Sequence, residues 1–131
     1  MIALPGPLIA VLNAKAICFV TTLMPDGSPQ ISQTWVGTDG ERVLINTVDT
    51  HQKTRNVRRD PRIAIGIADP ESPARCWALR GRVTAITPDG ARDHIDELSR
   101  KYLGRPYPGF EGGAEQRRVL LAVEVDKLHT P

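Results

Sequence analysis

Five cations crowd one short stretch of an otherwise balanced chain: Lys53, Arg55, Arg58, Arg59 and Arg62. They follow the strand-like Ile45-Asn46-Thr47 and bracket Pro61, so residues 45–61 read as a strand end, a polar loop and a basic helix that the proline closes. Thr50 is the expected N-cap, its hydroxyl accepting from a backbone N–H two or three residues on. Lys53 then falls in the first turn, where a cation opposes the helix dipole by about 0.3–1 kcal/mol. An anion bound at that helix start reverses the sign. Backbone N–H groups, Thr50, Lys53 and Arg55 would converge on one phosphate, with His51 beside them. A solvated surface helix has the same composition, and the local pattern leaves both readings open.

A second cluster is Ser32-Gln33-Thr34-Trp35. Polar groups in a row on a strand are either its outward face or a ribbon that hydrogen-bonds the rim of a flat ring. Trp35 and Trp77 are core or interface aromatics, or platforms for a planar ligand. Classical catalytic pairings are missing. His51, His94 and His129 have no partner at metal-ligand spacing, and no serine sits in a nucleophile elbow. His94 and His129 are expected at the surface. No catalytic residue and no metal ligand is therefore named, which fits an enzyme whose cofactor does the hard chemistry.

The elements that must position these residues are short. Residues 7–13 read as a helix entered at Pro7, and Ala91–Leu103 as a second with Ala91, Ile95, Leu98 and Tyr102 on its apolar stripe. Strands are expected over 16–23, 29–36, 42–47, 62–68, 75–87 and 119–125, the first three as an antiparallel meander turning at Pro25-Asp26-Gly27 and Asp39-Gly40. Gly81 marks a bulge or a close backbone approach in the long fifth strand. Six antiparallel strands with two to three short helices make a small β-barrel. So narrow a barrel is filled by its own side chains, and a large ligand must lie outside it.

The chain has 131 residues, 24% charged and 40% hydrophobic, with net charge +2. One domain over residues 1–131 is expected. The small net charge argues against nucleic acid, as does the scarcity of aromatics for stacking bases. No apolar run is long enough to span a membrane. Residues 2–16 have an apolar centre but no basic start, so processing as a signal peptide is not expected. Cys18 and Cys76 sit in apolar strand-like runs and read as buried, reduced thiols of a cytoplasmic protein.

The run from Lys53 to Pro61, after Ile45-Asn46-Thr47, resembles the phosphate-binding segment of the pyridoxamine 5'-phosphate oxidase-like split barrels, and in particular their flavin- and deazaflavin-dependent oxidoreductase branch. The likeness extends over Pro25-Asp26-Gly27, Gln30-Ile31-Ser32-Gln33, Trp77 with Arg80-Gly81, and Lys101-Tyr102-Leu103-Gly104-Arg105-Pro106-Tyr107-Pro108. It implies a homodimeric split β-barrel with cofactor sites at the dimer interface. Carried over by position, Ser32, Gln33, Thr34 and Trp35 would line the ring. Asn46, Thr47 and Thr50 would flank the ribityl chain and phosphate, with Lys53 the main phosphate cation. Trp77 of a second subunit would pack near the ring. The family often has arginine where this chain has His51. The arginine- and tryptophan-rich C-terminal segment of pyridoxamine 5'-phosphate oxidases is missing, so pyridoxamine phosphate is not the expected substrate.

The function implied is hydride transfer between coenzyme F420, a 5-deazaflavin, and a small conjugated acceptor, with FMN as the alternative cofactor. The loop 104–113 would cover the site or hold the deazaflavin tail, with Arg105, Arg117 and Arg118 near its carboxylates. A non-catalytic flavin or F420 carrier is the competing reading; a nucleic-acid-binding barrel ranks below both.

Overall fold

The computed structural model describes residues 1–109 and 116–131. Its elements in order are α1 (Gly6–Asn13), β1 (Ile17–Leu23), β2 (Pro29–Gln33), β3 (Gly37–Thr38), β4 (Val43–Val48), α2 (Gln52–Arg59), β5 (Arg62–Asp69), β6 (Ser72–Thr87), α3 (Ala91–Leu103) and β7 (Arg118–His129). The seven strands form one antiparallel sheet in the order β2-β1-β5-β6-β7-β4-β3.

The mainly-β architecture and the position of α3 agree with the sequence, but the pairing corrects it. The expected strand 29–36 is two strands: β2 ends at Gln33 and the two-residue β3 begins at Gly37, making seven strands where six were expected. The first three expected strands do not form a meander. β4 pairs with β7, Asn46 opposite Leu120 and Thr47 opposite Val119, while β1 lies between β2 and β5. Local turn signals fix where a strand stops, but not which distant strand it joins.

β2 and β3 are the two outer strands of the sheet, and only residues 34–36 separate them. The Cα atoms of Gln33 and Gly37 are therefore at most about 14 Å apart. The sheet must curl until its two edges nearly meet, a barrel closed by chain connectivity instead of by a ladder.

Alternation decides what fills it. Val20, Ile63, Ile65, Ile67, Trp77, Leu79, Leu121, Val123 and Val125 face inward, and Leu8 and Leu12 of α1 close one side. Cys76 corrects the expected pair of buried thiols: it lies on the outward face of β6 and is exposed, whereas Cys18 is buried. Gly81 meets its expectation. A register shift occurs between Arg80 and Gly81, and a Cβ at Gly81 would lie 2.0 Å from the Glu124 carbonyl oxygen. Among the described residues no helix is long and apolar enough to cross a membrane.

Candidate functional site

α2 is strongly polar, yet it is fixed against the barrel. Thr54 Oγ1 donates to the Val48 carbonyl at 2.8 Å, and Asn56 Nδ2 to Thr22 Oγ1 at 3.0 Å. Thr54 and Asn56 are fully buried, so these bonds supply what desolvation removed. The residue at the N-cap of α2 is His51, in extended conformation and with no side-chain cap bond, and not Thr50. The His51 carbonyl accepts from the N–H groups of both Thr54 and Arg55. This leaves the N–H groups of Gln52 and Lys53 among the orphan donors that every helix start presents.

Beside this helix start is a cavity of about 630 Å³. Its walls come from the start of β1 (Lys15 to Cys18), the end of β2 and the connection after it (Gln33, Thr34, Trp35), Asn46 and Thr47 of β4, His51 and Lys53, Ile95 and Tyr102 of α3, and Arg118 of β7. Three permanent cations, Lys15, Lys53 and Arg118, face it together with His51, and among the described residues no aspartate or glutamate lines it. Burial is the main reason that Lys53 and Arg118 have lowered pKa values, and Arg118 adds to the shift on Lys53. Both would gain from an anion between them. His51 is likewise lowered by burial first, then by Lys53 and Arg118.

Of the expected site residues, the fold thus brings together Gln33, Thr34, Trp35, Asn46, Thr47, His51 and Lys53. Four others are placed elsewhere. Ser32 lies opposite Val20 and faces the barrel interior, because strand residues alternate and the cavity takes Gln33. Thr50 is exposed, and its carbonyl accepts from Arg55. Arg55 turns back along α2, bonding the Thr50 carbonyl at 3.1 Å and Gln52 Oε1. Trp77 is 2% exposed and belongs to the barrel core. Most of the basic cluster is structural: Arg58 pairs with Asp49, Arg59 donates to the Leu23 carbonyl, and Arg62 pairs with Asp60 at 2.7 Å.

Asn46 carries the most specific geometry. Its Nδ2 donates to the Ala91 carbonyl at 2.8 Å and to His94 Nδ1 at 3.2 Å. His94 must then accept at Nδ1, which requires a neutral ring; burial, aided by Lys101, holds its pKa at about 4. With both amide hydrogens engaged, Asn46 Oδ1 is buried and has no partner among the described residues. His94, expected at the surface, is instead a half-buried support of the site.

Sequence reasoning missed Lys15 and Tyr102 as wall residues, and did not place Arg118 beside Lys53. Tyr102 ends the apolar stripe of α3, and a hydroxyl-bearing ring there was an available signal; for Lys15 and Arg118 the local pattern holds none. Of the loop 104–113, residues 110–113 lie outside the described residues. Tyr107 does reach the site's edge: Arg118 lies over its ring, 5.5 Å from the centroid.

Residues 8–130 match the family described as pyridoxamine 5'-phosphate oxidase. Among solved structures, an F420 reductase superimposes with a TM-score of 0.81 at 27% identity, covering 96% of this chain and 98% of that one. HupZ from Group A Streptococcus gives 0.69 at 16% identity, over 97% of this chain and 93% of that one. Protein Rv2991 from Mycobacterium tuberculosis gives 0.69 at 19%, over 98% and 84%. The last two likenesses speak to the fold alone.

Proposed function

The chain belongs to the pyridoxamine 5'-phosphate oxidase family, and from that premise we propose that it is an oxidoreductase that binds coenzyme F420, or alternatively FMN, and passes hydride between the ring and a small conjugated acceptor. One observation carries the reading. A cavity lined by no aspartate or glutamate among the described residues has cations at the start of α2 and a polar-aromatic wall at the end of β2. The likeness to an F420 reductase at 27% identity supports the deazaflavin over FMN.

The residues present fit such a cofactor. Lys53, His51 and Arg118 would hold its phosphate, helped by the α2 N–H groups. Asn46 Oδ1, a buried acceptor with no donor among the described residues, suits a hydroxyl of the chain between phosphate and ring. Thr47 lies beside it, and Gln33, Thr34 and Trp35 would border the ring. The bound cofactor supplies the hydride chemistry. The protein's own part is to bind, orient and exclude water; no lining residue needs to act as an obligatory acid or base.

A second copy of the chain would complete the site. Phe19 (43% exposed) and Ile31 (66%) lie on the outer sheet face, and Gln33, opposite Phe19, carries that face to the cavity's edge. Large apolar side chains left in water beside a ligand cavity suit an interface between subunits. We place this dimer in the reducing cytoplasm, with Cys18 and Cys76 as thiols.

The test is fluorescence titration of the purified protein with F420 and, separately, FMN, followed by acceptor screening with the reduced form of whichever binds. Tight F420 binding with weak FMN binding supports the deazaflavin enzyme. The reverse assigns a flavoprotein. Binding without turnover of any acceptor favours a carrier, and binding of neither removes the reading.

A further inference from the structure

Of the Lys101-Tyr102-Leu103-Gly104 run only Tyr102 has so far been placed, as a cavity wall residue, yet three of the four residues have a definite structural task. Gly104 ends α3 with φ +72°, a conformation open to glycine. Lys101 and Tyr102, the last two residues before Leu103, turn inward. Lys101 Nζ donates to the Leu12 carbonyl at 2.8 Å and to the Val36 carbonyl at 2.5 Å. Tyr102 Oη donates to the Ala16 carbonyl at 2.7 Å and accepts from the Val36 N–H at 3.4 Å. Its ring stacks on Trp35, with centroids 5.3 Å apart and planes 5° apart. Lys101 Nζ sits 4.7 Å from the centroid of that tyrosine ring.

Val36 belongs to the connection between the two edges of the sheet, where no ladder serves its backbone. Two neighbouring side chains of α3 take both its N–H and its carbonyl. Thr34 and Trp35, immediately before it, form the cavity wall proposed to border the ring. We infer that Lys101 and Tyr102 are positioning residues: they clamp the connection 34–36 and so set the distance between the ring wall and the phosphate end of the cavity. Lys101 is not among the lining residues and acts through Val36 and Tyr102; Tyr102 also lines the cavity. The inference rests on the ring-binding reading for its consequence, but the clamp itself is independent of any ligand.

Two measurements test it. Trp77 is 2% exposed, so acrylamide quenching reports Trp35. Lys101→Met is expected to at least double the quenching constant, Tyr102→Phe to raise it less because the stack remains, and Lys101→Arg to restore most of the wild-type value. Unchanged quenching in Lys101→Met overturns the clamp. For the consequence, the affinities of FMN and F420 are compared with that of inorganic phosphate. Lys101→Met should weaken the tighter cofactor at least tenfold and phosphate less than twofold. A parallel loss of both, or a loss that Lys101→Arg does not rescue, reduces the pair to general stability and overturns the positioning role. If wild-type protein binds neither cofactor, the oxidoreductase reading falls, and the quenching comparison alone upholds or overturns the clamp.

Discussion

Trp35 and Tyr102 lie face to face, 5.3 Å between ring centroids, although one belongs to the link between the sheet's edges and the other to the last turn of α3. The stack ties α3, which packs against β4 and β7, to the seam where the barrel's edges approach. A flat ligand entering the cavity meets an aromatic wall already held in one orientation, which lowers the ordering cost of binding.

Lys53 is the cation of the basic cluster that reaches the cavity. Lys53→Ala should weaken cofactor binding at least about tenfold, the loss of one charge-assisted contact. Arg55→Ala, whose guanidinium is engaged with Thr50 and Gln52, should change it less than about twofold. Fluorescence titration of the two variants side by side gives the comparison, and equal effects would remove the phosphate assignment.

His51 should make binding sensitive to pH. Burial, Lys53 and Arg118 lower its pKa in the free protein, whereas an anion alongside favours the imidazolium. Binding then takes up a proton, so affinity should rise as pH falls from about 7.5 to about 5.5. Phosphate monoesters titrate in the same range and act in the opposite sense. The quantity to follow is therefore the ratio of affinities, wild type over His51→Gln, which should grow toward low pH. A flat ratio counts against His51 as a contact.

His94 should leave a mark on stability. Its pKa is about 4 in the folded protein against 6.5 for a free imidazole. The unfolded chain binds the proton first, so stability is fully present above pH 6.5 and falls as pH drops toward 4. His51 shifts in the same direction but is present in both proteins compared. Melting temperature across this window should fall more steeply in the wild type than in His94→Gln; equal slopes would mean that the ring is not held neutral by its surroundings.

Gly81→Ala would drive a methyl to 2.0 Å from the Glu124 carbonyl oxygen. Backbone stands on both sides, so neither can yield cheaply. The cost should be at least about 2 kcal/mol, visible in urea unfolding as a lower midpoint. An unchanged midpoint would mean that the β6–β7 bulge relaxes freely.

Several features were legible in the sequence because they are local. Ala91–Leu103 carries an apolar stripe between Gly90 and Gly104, and α3 occupies that range. Gly81 interrupts a long strand pattern, and the register shifts there. The cluster from Gln33 to Trp35 and the pair Asn46-Thr47 face one cavity with Lys53. What failed was relational. Period-2 alternation says that Ser32 and Gln33 face opposite ways, but not which way the cavity lies. A threonine before a basic run is a good cap, yet His51 takes the position because the chain turns one residue later. Arg118 reaches the site only because β7 pairs with β4, a partnership that no nearby residue announces.

That partnership has a consequence for synthesis. β2, β1, β5 and β6 are contiguous in the sheet, and all four have been made before β7 leaves the ribosome. β4 has only the two-residue β3 to pair with until Arg118–His129 arrives. Domains begin to fold while translation continues. A nascent chain arrested before Arg118 should already protect amides in β1, β5 and β6, while Asn46 and Thr47 still exchange with water. The cavity wall formed by Asn46, Thr47 and Arg118 is thus assembled only once β7, which follows the other described strands in chain order, has been made.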